Sequence, residues 1–202
     1  MKKALCVRAK PHGVDREKQF LAGDISIGWP EMGDLDGADR ATIQSALEKR
    51  RPDVASSLTG SQIYKFVDLP VGSLVLTPSY ETRGVHLFRT KSGYRYREDW
   101  RKGGNPHTIK VEYIKTVSRD TFPEQVQRAL LAARKAVTDF SKYEPAISSI
   151  ADGQGPCGDG APSTAASPDA VEARRTLREL LSSEDEHVRL KAAMALLGYR
   201  AP

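Results

Sequence analysis

Short runs in which apolar and polar residues alternate predict the β-strands of this chain, all within its first 120 residues. Pro30 ends one of these runs, because proline cannot donate to a sheet ladder. Lys91-Ser-Gly93 is typical of a tight turn that joins two runs into a hairpin. The predicted strands are 3–9, 25–29, 73–76, 85–90, 94–98 and 108–117.

Apolar residues that recur at three- and four-residue steps predict helices between and after these strands. A short helical turn is expected at 15–21, with Phe20 and Leu21 facing inward. Longer helices are predicted at 40–51, 58–67 and 123–140, and Ser56 or Ser57 can cap the second of them. Together these elements favour an α+β fold, a small closed or partly closed β-barrel with flanking helices.

The last part of the chain predicts a different organisation. Residues 146–168 are rich in Gly, Ala, Ser and Pro, which bury too little surface to offset ordering entropy, so a flexible linker is expected. Residues 169–200 predict a helical hairpin that resembles one HEAT-type unit. Since a solenoid needs about three units, this pair is expected to dock on the domain 1–145, self-associate or cap a partner.

Composition excludes several classes of protein. No stretch has the 18 or more apolar residues of a membrane span, and the amino terminus lacks the apolar core and cleavage site of a secretion signal. A cytoplasmic protein that does not enter membranes is therefore expected. Cys6 falls in a predicted strand and Cys157 in the linker, so both are expected to be free thiols.

The net charge of +5 is unevenly distributed. Residues 1–82 carry 11 basic and 11 acidic side chains, whereas residues 83–119 carry ten Lys or Arg against three acids, a local charge of +7. Such a concentration favours a polyanionic partner, because neutralising phosphates releases condensed counterions. The alternative is a solvated hairpin face that is basic for solubility.

The chain shows no clear catalytic constellation. Asp34, Asp36 and Asp39 are clustered, but they fall in a predicted loop where Asp ordinarily serves as a turn or cap residue. The histidines are dispersed and have no paired nucleophile. They are His12, His86, His107 and His187. We therefore expect a protein that is not an enzyme and that uses neither a cofactor nor a metal.

Four motifs occur together in the first 80 residues. They are Arg8-Ala-Lys-Pro-His-Gly13, Ile25-Ser-Ile-Gly-Trp-Pro-Glu-Met-Gly-Asp-Leu35, Gln62-Ile-Tyr-Lys-Phe-Val67 and Val71-Gly-Ser-Leu-Val-Leu-Thr-Pro78. In this combination residues 4–120 resemble the amino-terminal module of Mrr-type and other modification-dependent restriction proteins. The resemblance implies a small PUA-like or EVE-like β-barrel that inspects nucleic acid. In those proteins a catalytic domain accompanies the module, whereas here a linker and two helices follow it.

A barrel that reads a base needs an aromatic stacking surface, polar groups for the base edge and cations for the phosphates. Trp29 is expected at the mouth of a pocket or, alternatively, in the core. Tyr94 and Tyr96 share one face of their predicted strand, where they stack on bases or pack on the barrel. Arg95 and Arg97 lie on the other face.

Further candidates come from the loops and the second helix. Arg8 is expected to contact a base or a phosphate or, alternatively, to pair with Asp24. The amide of Gln62 suits a base edge, and Trp100 is a candidate for the surface of a basic loop. The candidate nucleic-acid-binding residues are Arg8, His12, Trp29, Gln62, Tyr94, Arg95, Tyr96, Arg97, Trp100, Arg101 and Lys102.

The sequence thus predicts a non-catalytic nucleic-acid-binding module that senses modified DNA bases in a restriction or defence system. The alternative is a protein-interaction adaptor, whose carboxy-terminal helices dock a partner nuclease or ATPase while the barrel is a passive scaffold. A nuclease with an unrecognised active site is a third hypothesis.

Overall fold

The computed structural model describes residues 3–10 and 13–153, which contain six strands and five α-helices. None of these helices is long and apolar enough to span a membrane. The strands are β1 (Ala4–Val7), β2 (Asp24–Ile27), β3 (Leu74–Pro78), β4 (Gly84–Tyr96), β5 (His107–Ser118) and β6 (Val137–Asp139). The helices are α1 (Glu17–Leu21), α2 (Arg40–Arg50), α3 (Ser57–Val67), α4 (Glu124–Ala132) and α5 (Glu144–Ala151).

The six strands form one curled sheet, a half-barrel, in the order β2-β5-β4-β3-β1-β6. β1 and β3 run parallel, and every other neighbouring pair is antiparallel. Because parallel strands end at the same edge of a sheet, the chain emerges from β1 and from β3 side by side. The predicted α+β fold, with a partly closed barrel and flanking helices, is confirmed. The predicted hairpin 169–200 lies outside the described residues.

Helices cover both faces of the sheet, so all four residues of β1 are buried. Leu5 and Val7 belong to one core, which α2 and α3 complete. Ala4 and Cys6 belong to a second core, beneath α4 and α5. Cys6 is a free thiol, as expected, and burial raises its pKa to about 12. Cys157 lies outside the described residues.

Helices α2 and α3 form where the sequence predicts them, because each begins with a capping side chain. Asp39 accepts a hydrogen bond from the N–H of Thr42 at 2.8 Å, and Ser56 accepts one from the N–H of Thr59 at 3.1 Å. In α1 only half of the expectation holds, since Phe20 is buried whereas Leu21 is 40% exposed.

The predicted helix 123–140 is wrong over its second half. α4 ends at Ala132, and Val137 instead pairs with Val7 at the edge of the sheet. Val137 continues the helical spacing of Val126 and Leu130, so the local pattern favours a helix. Only the partner strand, at the opposite end of the described chain, reveals that this segment is extended.

The segment predicted as a linker begins with ordered structure. Residues Glu144–Ala151 form α5, in which Ile147 and Ile150 are buried in the second core. Apolar residues at three-residue spacing therefore outweigh the small-residue composition of this segment. Residues 154–168 lie outside the described part of the chain.

A continuous strand replaces the turn predicted at Lys91-Ser-Gly93. Thr90 pairs with Val111 and Tyr94 pairs with Ile109, so residues 91–93 of β4 bulge against Lys110 alone. The turn of this hairpin falls instead between β4 and β5, at residues 97–106. Side chains alternate between the two faces of a strand. Because Tyr94 is an even number of residues from Phe88, both side chains lie on the same face and enter the first core.

Candidate nucleic-acid interface

Three of the predicted contact residues, Arg8, Trp29 and Gln62, line one cavity of about 360 Å³. They come from three separate segments, after β1, after β2 and on α3. Tyr80 joins them because it follows β3, which ends beside β1. We call this cavity the Trp29 pocket. It is lined by Arg8, Lys10, Gly28, Trp29, Gln62, Tyr80, Arg134 and Ala136.

The Trp29 pocket is basic and has the size of a small ligand site. Its volume lies near the lower end of the range of such sites, about 300–1,000 Å³. Arg8, Lys10 and Arg134 contribute three positive charges to its described lining, which contains no carboxylate. None of the three forms an ion pair with a carboxylate of residues 3–10 or 13–153. An anionic ligand therefore fits this pocket.

Trp29 has a left-handed backbone, with φ 66° and ψ 52°. Among the described residues it is the one non-glycine residue with a positive φ. This conformation costs a non-glycine residue about 1–2 kcal/mol, and such strain concentrates at functional sites. Its side chain is half-buried, packing against the first core while lining the pocket, so both alternatives expected for this residue hold in part.

A chain of hydrogen bonds holds the carbonyl group of Trp29. The N–H of Leu35 donates to the hydroxyl oxygen of Tyr94 at 3.2 Å, which leaves the Tyr94 O–H to donate to Nδ1 of His107 at 2.8 Å. Burial lowers the pKa of His107, so its ring is neutral at neutral pH and carries its proton on Nε2. Nε2 donates to the carbonyl oxygen of Trp29 at 3.0 Å.

Tyr94 therefore supports the pocket from inside the protein. Its side chain is only 9% exposed and its hydroxyl group has partners on both sides, so it does not reach a nucleic acid at the surface. Tyr96 is half-buried beside the same histidine, with its ring centroid 5.5 Å from that of His107. Of the two alternatives for these tyrosines, packing on the barrel is the one that the structure shows for Tyr94.

Arg8 and Tyr80 form one wall of the pocket. Nε of Arg8 donates to the Tyr80 hydroxyl group at 2.8 Å, and Nη1 donates to the carbonyl oxygen of Arg134 at 3.3 Å. The alternative in which Arg8 pairs with Asp24 is wrong, because Asp24 pairs with Lys110 at 2.7 Å. The guanidinium group of Arg8 thus stays at the pocket with part of its donor capacity free.

Glu17 fixes the loop that carries Tyr80. Its carboxylate accepts from the N–H of Tyr80 at 3.3 Å and contacts Nε2 of His86 at 2.7 Å. Nδ1 of His86 lies 2.6 Å from the Thr116 hydroxyl oxygen, which ties this group to β5. Burial opposes ionisation of Glu17, but these hydrogen bonds outweigh it and lower the pKa of the carboxyl group. Sequence reasoning missed this contact, since its partners are far apart in the chain.

Gln62 presents a fixed amide to the pocket. Its Oε1 accepts from the N–H of Val137 at 3.3 Å, so β6 orients the side chain. Nε2 makes a long hydrogen bond of 3.4 Å to the carbonyl oxygen of Leu58. Because an amide nitrogen carries two N–H groups, a donor remains for a ligand.

The basic segment 83–119 is less cationic than its composition suggests. Six of its ten Lys and Arg residues pair with carboxylates, three of which belong to acids outside the segment. These pairs are Arg83–Asp120, Arg89–Asp152, Lys91–Glu112, Arg97–Asp99, Arg101–Glu98 and Lys110–Asp24. Nearby carboxylates would repel phosphates, so this surface favours a polyanion less than expected.

The loop after β4 carries four more of the predicted residues, and none of the four lines the Trp29 pocket. Arg97 covers Trp100, with its guanidinium carbon 4.3 Å from the ring centroid. Arg101 and Lys102 line a broad depression of about 740 Å³, but Glu31, Glu98 and Asp99 line it too. Arg95 is exposed on β4. This depression is larger than the Trp29 pocket, yet its mixed charge does not favour a polyanion.

Of the predicted contact residues, His12 lies outside the described part of the chain. In the described part of the chain, no three His, Cys, Asp or Glu side chains are grouped closely enough to hold a metal ion. Lys10, Tyr80 and Arg134 line the pocket although the sequence did not single them out, because each is brought there by its neighbours in the sheet.

Comparison with known proteins adds little to this description. No family model matches the chain, and no curated protein does, so the resemblance to the Mrr-type module depends on its motifs alone. Among solved structures, the chain is similar to the YTH domain of the Zygosaccharomyces rouxii MRB1 protein, solved in complex with N6-methyladenosine RNA. The match covers 69% of this chain and 90% of that chain, with 13% identity and a TM-score of 0.32. Such values do not establish a common fold.

Proposed function

We propose that this chain is a non-catalytic nucleic-acid-binding module whose Trp29 pocket holds one base turned out of its stack. The observation that carries the proposal is the pocket itself. An indole on a fixed backbone lies beside an amide and three cations that have no carboxylate partner among the described residues. A base stacks on an aromatic face, and cations bind the flanking phosphates.

Gln62 gives the pocket a preference for one kind of base edge. Its Oε1 accepts from the N–H of Val137, which turns this oxygen towards β6 and leaves Nε2, with one free N–H group, as the donor for a base. A base that presents an acceptor to this donor is favoured over one that presents a donor. The unfavoured base would leave buried donors unpaired, at a cost of about 1–3 kcal/mol.

Binding rather than reaction suits the groups that line the pocket. Its described lining contributes guanidinium, ammonium, indole, amide and phenol groups, but no carboxylate, imidazole or thiol. Of the residue types that enzymes use for proton transfer and nucleophilic attack, the described lining contains only Lys10 and Tyr80, and the Tyr80 hydroxyl group already accepts from Nε of Arg8. The lining therefore favours a reader of the base over an enzyme that alters it.

We further propose that the base is a modified one in DNA, read as part of a restriction or defence system. The support is the set of motifs that resemble the Mrr-type module. Three of these motifs supply pocket residues, namely Arg8, Trp29 and Gln62. The same residues that carry the resemblance thus converge on one site.

Oligonucleotide binding tests the proposal. The probes are short DNA and RNA strands that contain adenine, N6-methyladenine, cytosine or C5-methylcytosine, measured at a low and a moderate salt concentration. Trp29→Ala should weaken binding about 5- to 150-fold, because stacking contributes about 1–3 kcal/mol per base. Trp100→Ala is the matched control, and we expect its affinity to stay within about twofold of the wild type, since Arg97 already covers this ring.

The outcomes separate the parts of the proposal. Preference for a methylated base in DNA supports the sensor. Equal affinity for all bases overturns the sensor while base binding stands. Absence of wild-type binding at low salt, or equal losses in Trp29→Ala and Trp100→Ala, overturns the nucleic-acid-binding function itself.

A further inference from the structure

A second cavity of about 370 Å³ adjoins the Trp29 pocket and shares two of its lining residues, Arg8 and Tyr80. The rest of its lining comes from the end of β3 and the loop that follows it, the residue that follows β5, and the end of α4. We call this cavity the Arg119 groove. It is lined by Arg8, Pro78, Ser79, Tyr80, Thr82, Arg83, Arg119, Leu130, Leu131 and Ala133.

Among the described residues, Arg119 is the groove residue with a buried side-chain nitrogen that has no hydrogen-bond partner. That nitrogen is Nε. Within the described part of the chain Arg119 also forms no ion pair, whereas the neighbouring Arg83 pairs with Asp120 at 2.8 Å. A buried N–H without a partner is costly. Since Nε is closed to solvent, an anionic oxygen in the groove would instead pair with the Nη groups of the same guanidinium through charge-assisted hydrogen bonds.

The groove also has an apolar side. Leu131 is 63% exposed at its edge, and Leu130 and Ala133 line it beside the cations. A nucleotide combines an apolar base face with a charged phosphate, so it matches both parts of this lining. An inorganic anion would leave the apolar part uncovered.

We infer that the Arg119 groove is a second nucleotide subsite, so that a single strand crosses the wall formed by Arg8 and Tyr80. One base occupies the Trp29 pocket, the next nucleotide lies on the groove, and Arg8 and Arg119 hold the phosphate between them. This inference rests on the proposed function. It specifies a single-stranded substrate of at least two nucleotides, because bases held in two cavities cannot pair with a second strand.

A ladder of strand lengths tests the inference with the full chain. Deoxyadenosine and deoxycytidine strands of one, two, four and eight nucleotides, methylated and unmethylated and all without terminal phosphates, compete against a labelled eight-nucleotide strand. Wild-type affinity should rise between one and two nucleotides. The affinity of Arg119→Gln for strands of two or more nucleotides should be about tenfold lower than that of the wild type. The slope of its log affinity against log salt concentration should become shallower by about 0.7. One-nucleotide binding should not change.

Three variants guard against a trivial result. Arg119→Lys keeps the charge and should restore most of the salt slope. Leu131→Glu, at an exposed position, should weaken the binding of strands of two or more nucleotides, because the new carboxylate repels the phosphate. This variant keeps the test valid even if Arg119→Gln does not fold. Val71→Glu is the matched control, since Val71 is 61% exposed and lines neither cavity.

The possible failures are distinguishable. If Trp29→Ala abolishes binding while Arg119→Gln and Leu131→Glu keep the wild-type dependence on length, the second subsite is wrong and the proposed function stands. If the wild-type chain binds no strand of any length, the proposed function fails and the inference fails with it.

Discussion

His107 donates from Nε2 to the backbone carbonyl of Trp29 at 3.0 Å, so a buried side chain of β5 fixes the backbone that carries the pocket indole. The N–H of Met32 donates to the same carbonyl, also at 3.0 Å. Two hydrogen bonds, each contributing about 0.5–1.5 kcal/mol, are of the same size as the cost of the left-handed conformation. The backbone that carries the pocket indole is therefore held by two groups outside the pocket lining.

Removing the hydroxyl group of Tyr94 should loosen this arrangement. Tyr94→Phe keeps the ring but leaves the N–H of Leu35 and Nδ1 of His107 without their partner. We expect the free energy of unfolding to fall by about 1–3 kcal/mol, with weaker oligonucleotide binding. Urea unfolding measures the free energy of unfolding, and the fluorescence anisotropy of a labelled oligonucleotide measures binding. Tyr113→Phe, at an exposed position, is the control and should change stability by less than about 0.5 kcal/mol.

Stability should depend on pH through His107. Burial lowers the pKa of this residue, although the hydrogen bond to Trp29 and the charge of Asp34 oppose the shift. The folded-state pKa of His107 lies below the unfolded value of about 6.5. The stability that the neutral ring contributes is therefore complete above a pH of about 6.5 and is lost as the pH falls through the folded-state pKa. Urea unfolding between about pH 7 and pH 5 should show the decrease in the wild type. The decrease should be smaller in His107→Gln, and equal pH dependence in both proteins would contradict this role.

The strain at Trp29 can be measured by comparing two truncations. Trp29→Gly and Trp29→Ala both remove the indole and its packing, so both should lose binding. Glycine adopts a φ of 66° without penalty, whereas alanine does not. Trp29→Gly should therefore be the more stable of the two by about 1 kcal/mol in urea unfolding. An alanine variant that is as stable as the glycine variant would show that the backbone relaxes.

The position of the phosphates can be distinguished by two charge-matched double variants. Lys10→Gln with Arg134→Gln removes cations that have no carboxylate partner among the described residues, so the log–log salt slope should become shallower by about 1.4, or 0.7 for each contact. Arg97→Gln with Arg101→Gln removes two cations that Asp99 and Glu98 already pair with, at 2.5 and 3.2 Å. We expect little change in the salt slope of this second double variant. The reverse ranking would place the phosphates on the loop after β4.

Local signals in the sequence were sufficient for much of the fold. Asp39 and Ser56 cap α2 and α3 through contacts three residues away, so a short window of sequence contains the information. The same holds for Phe20, whose burial follows from its place in an apolar turn. Sequence reasoning selected Arg8, Trp29 and Gln62 separately as candidate contacts and did not predict that they line one pocket.

Long-range contacts explain what the sequence did not reveal. β6 is three residues long and depends on β1, and the bulge at 91–93 depends on the register of β5. Charge counting along the chain also misled, since Asp24 and Asp152 neutralise cations that are distant in sequence. Tyr80 entered the site only because β1 and β3 are parallel, a pairing that no local pattern encodes.

Assembly of the Trp29 pocket from distant segments links ligand binding to global stability. The chain between β1 and β3 contributes Trp29 and Gln62, while the strand ends contribute Arg8 and Tyr80, so unfolding of any one of these segments disrupts the pocket. A ligand of the folded state alone raises the unfolding free energy by about 2.7 kcal/mol at a hundred times its Kd. Thermal shift across a panel of modified nucleotides can therefore rank the bases by affinity, whatever chemical group distinguishes the preferred one.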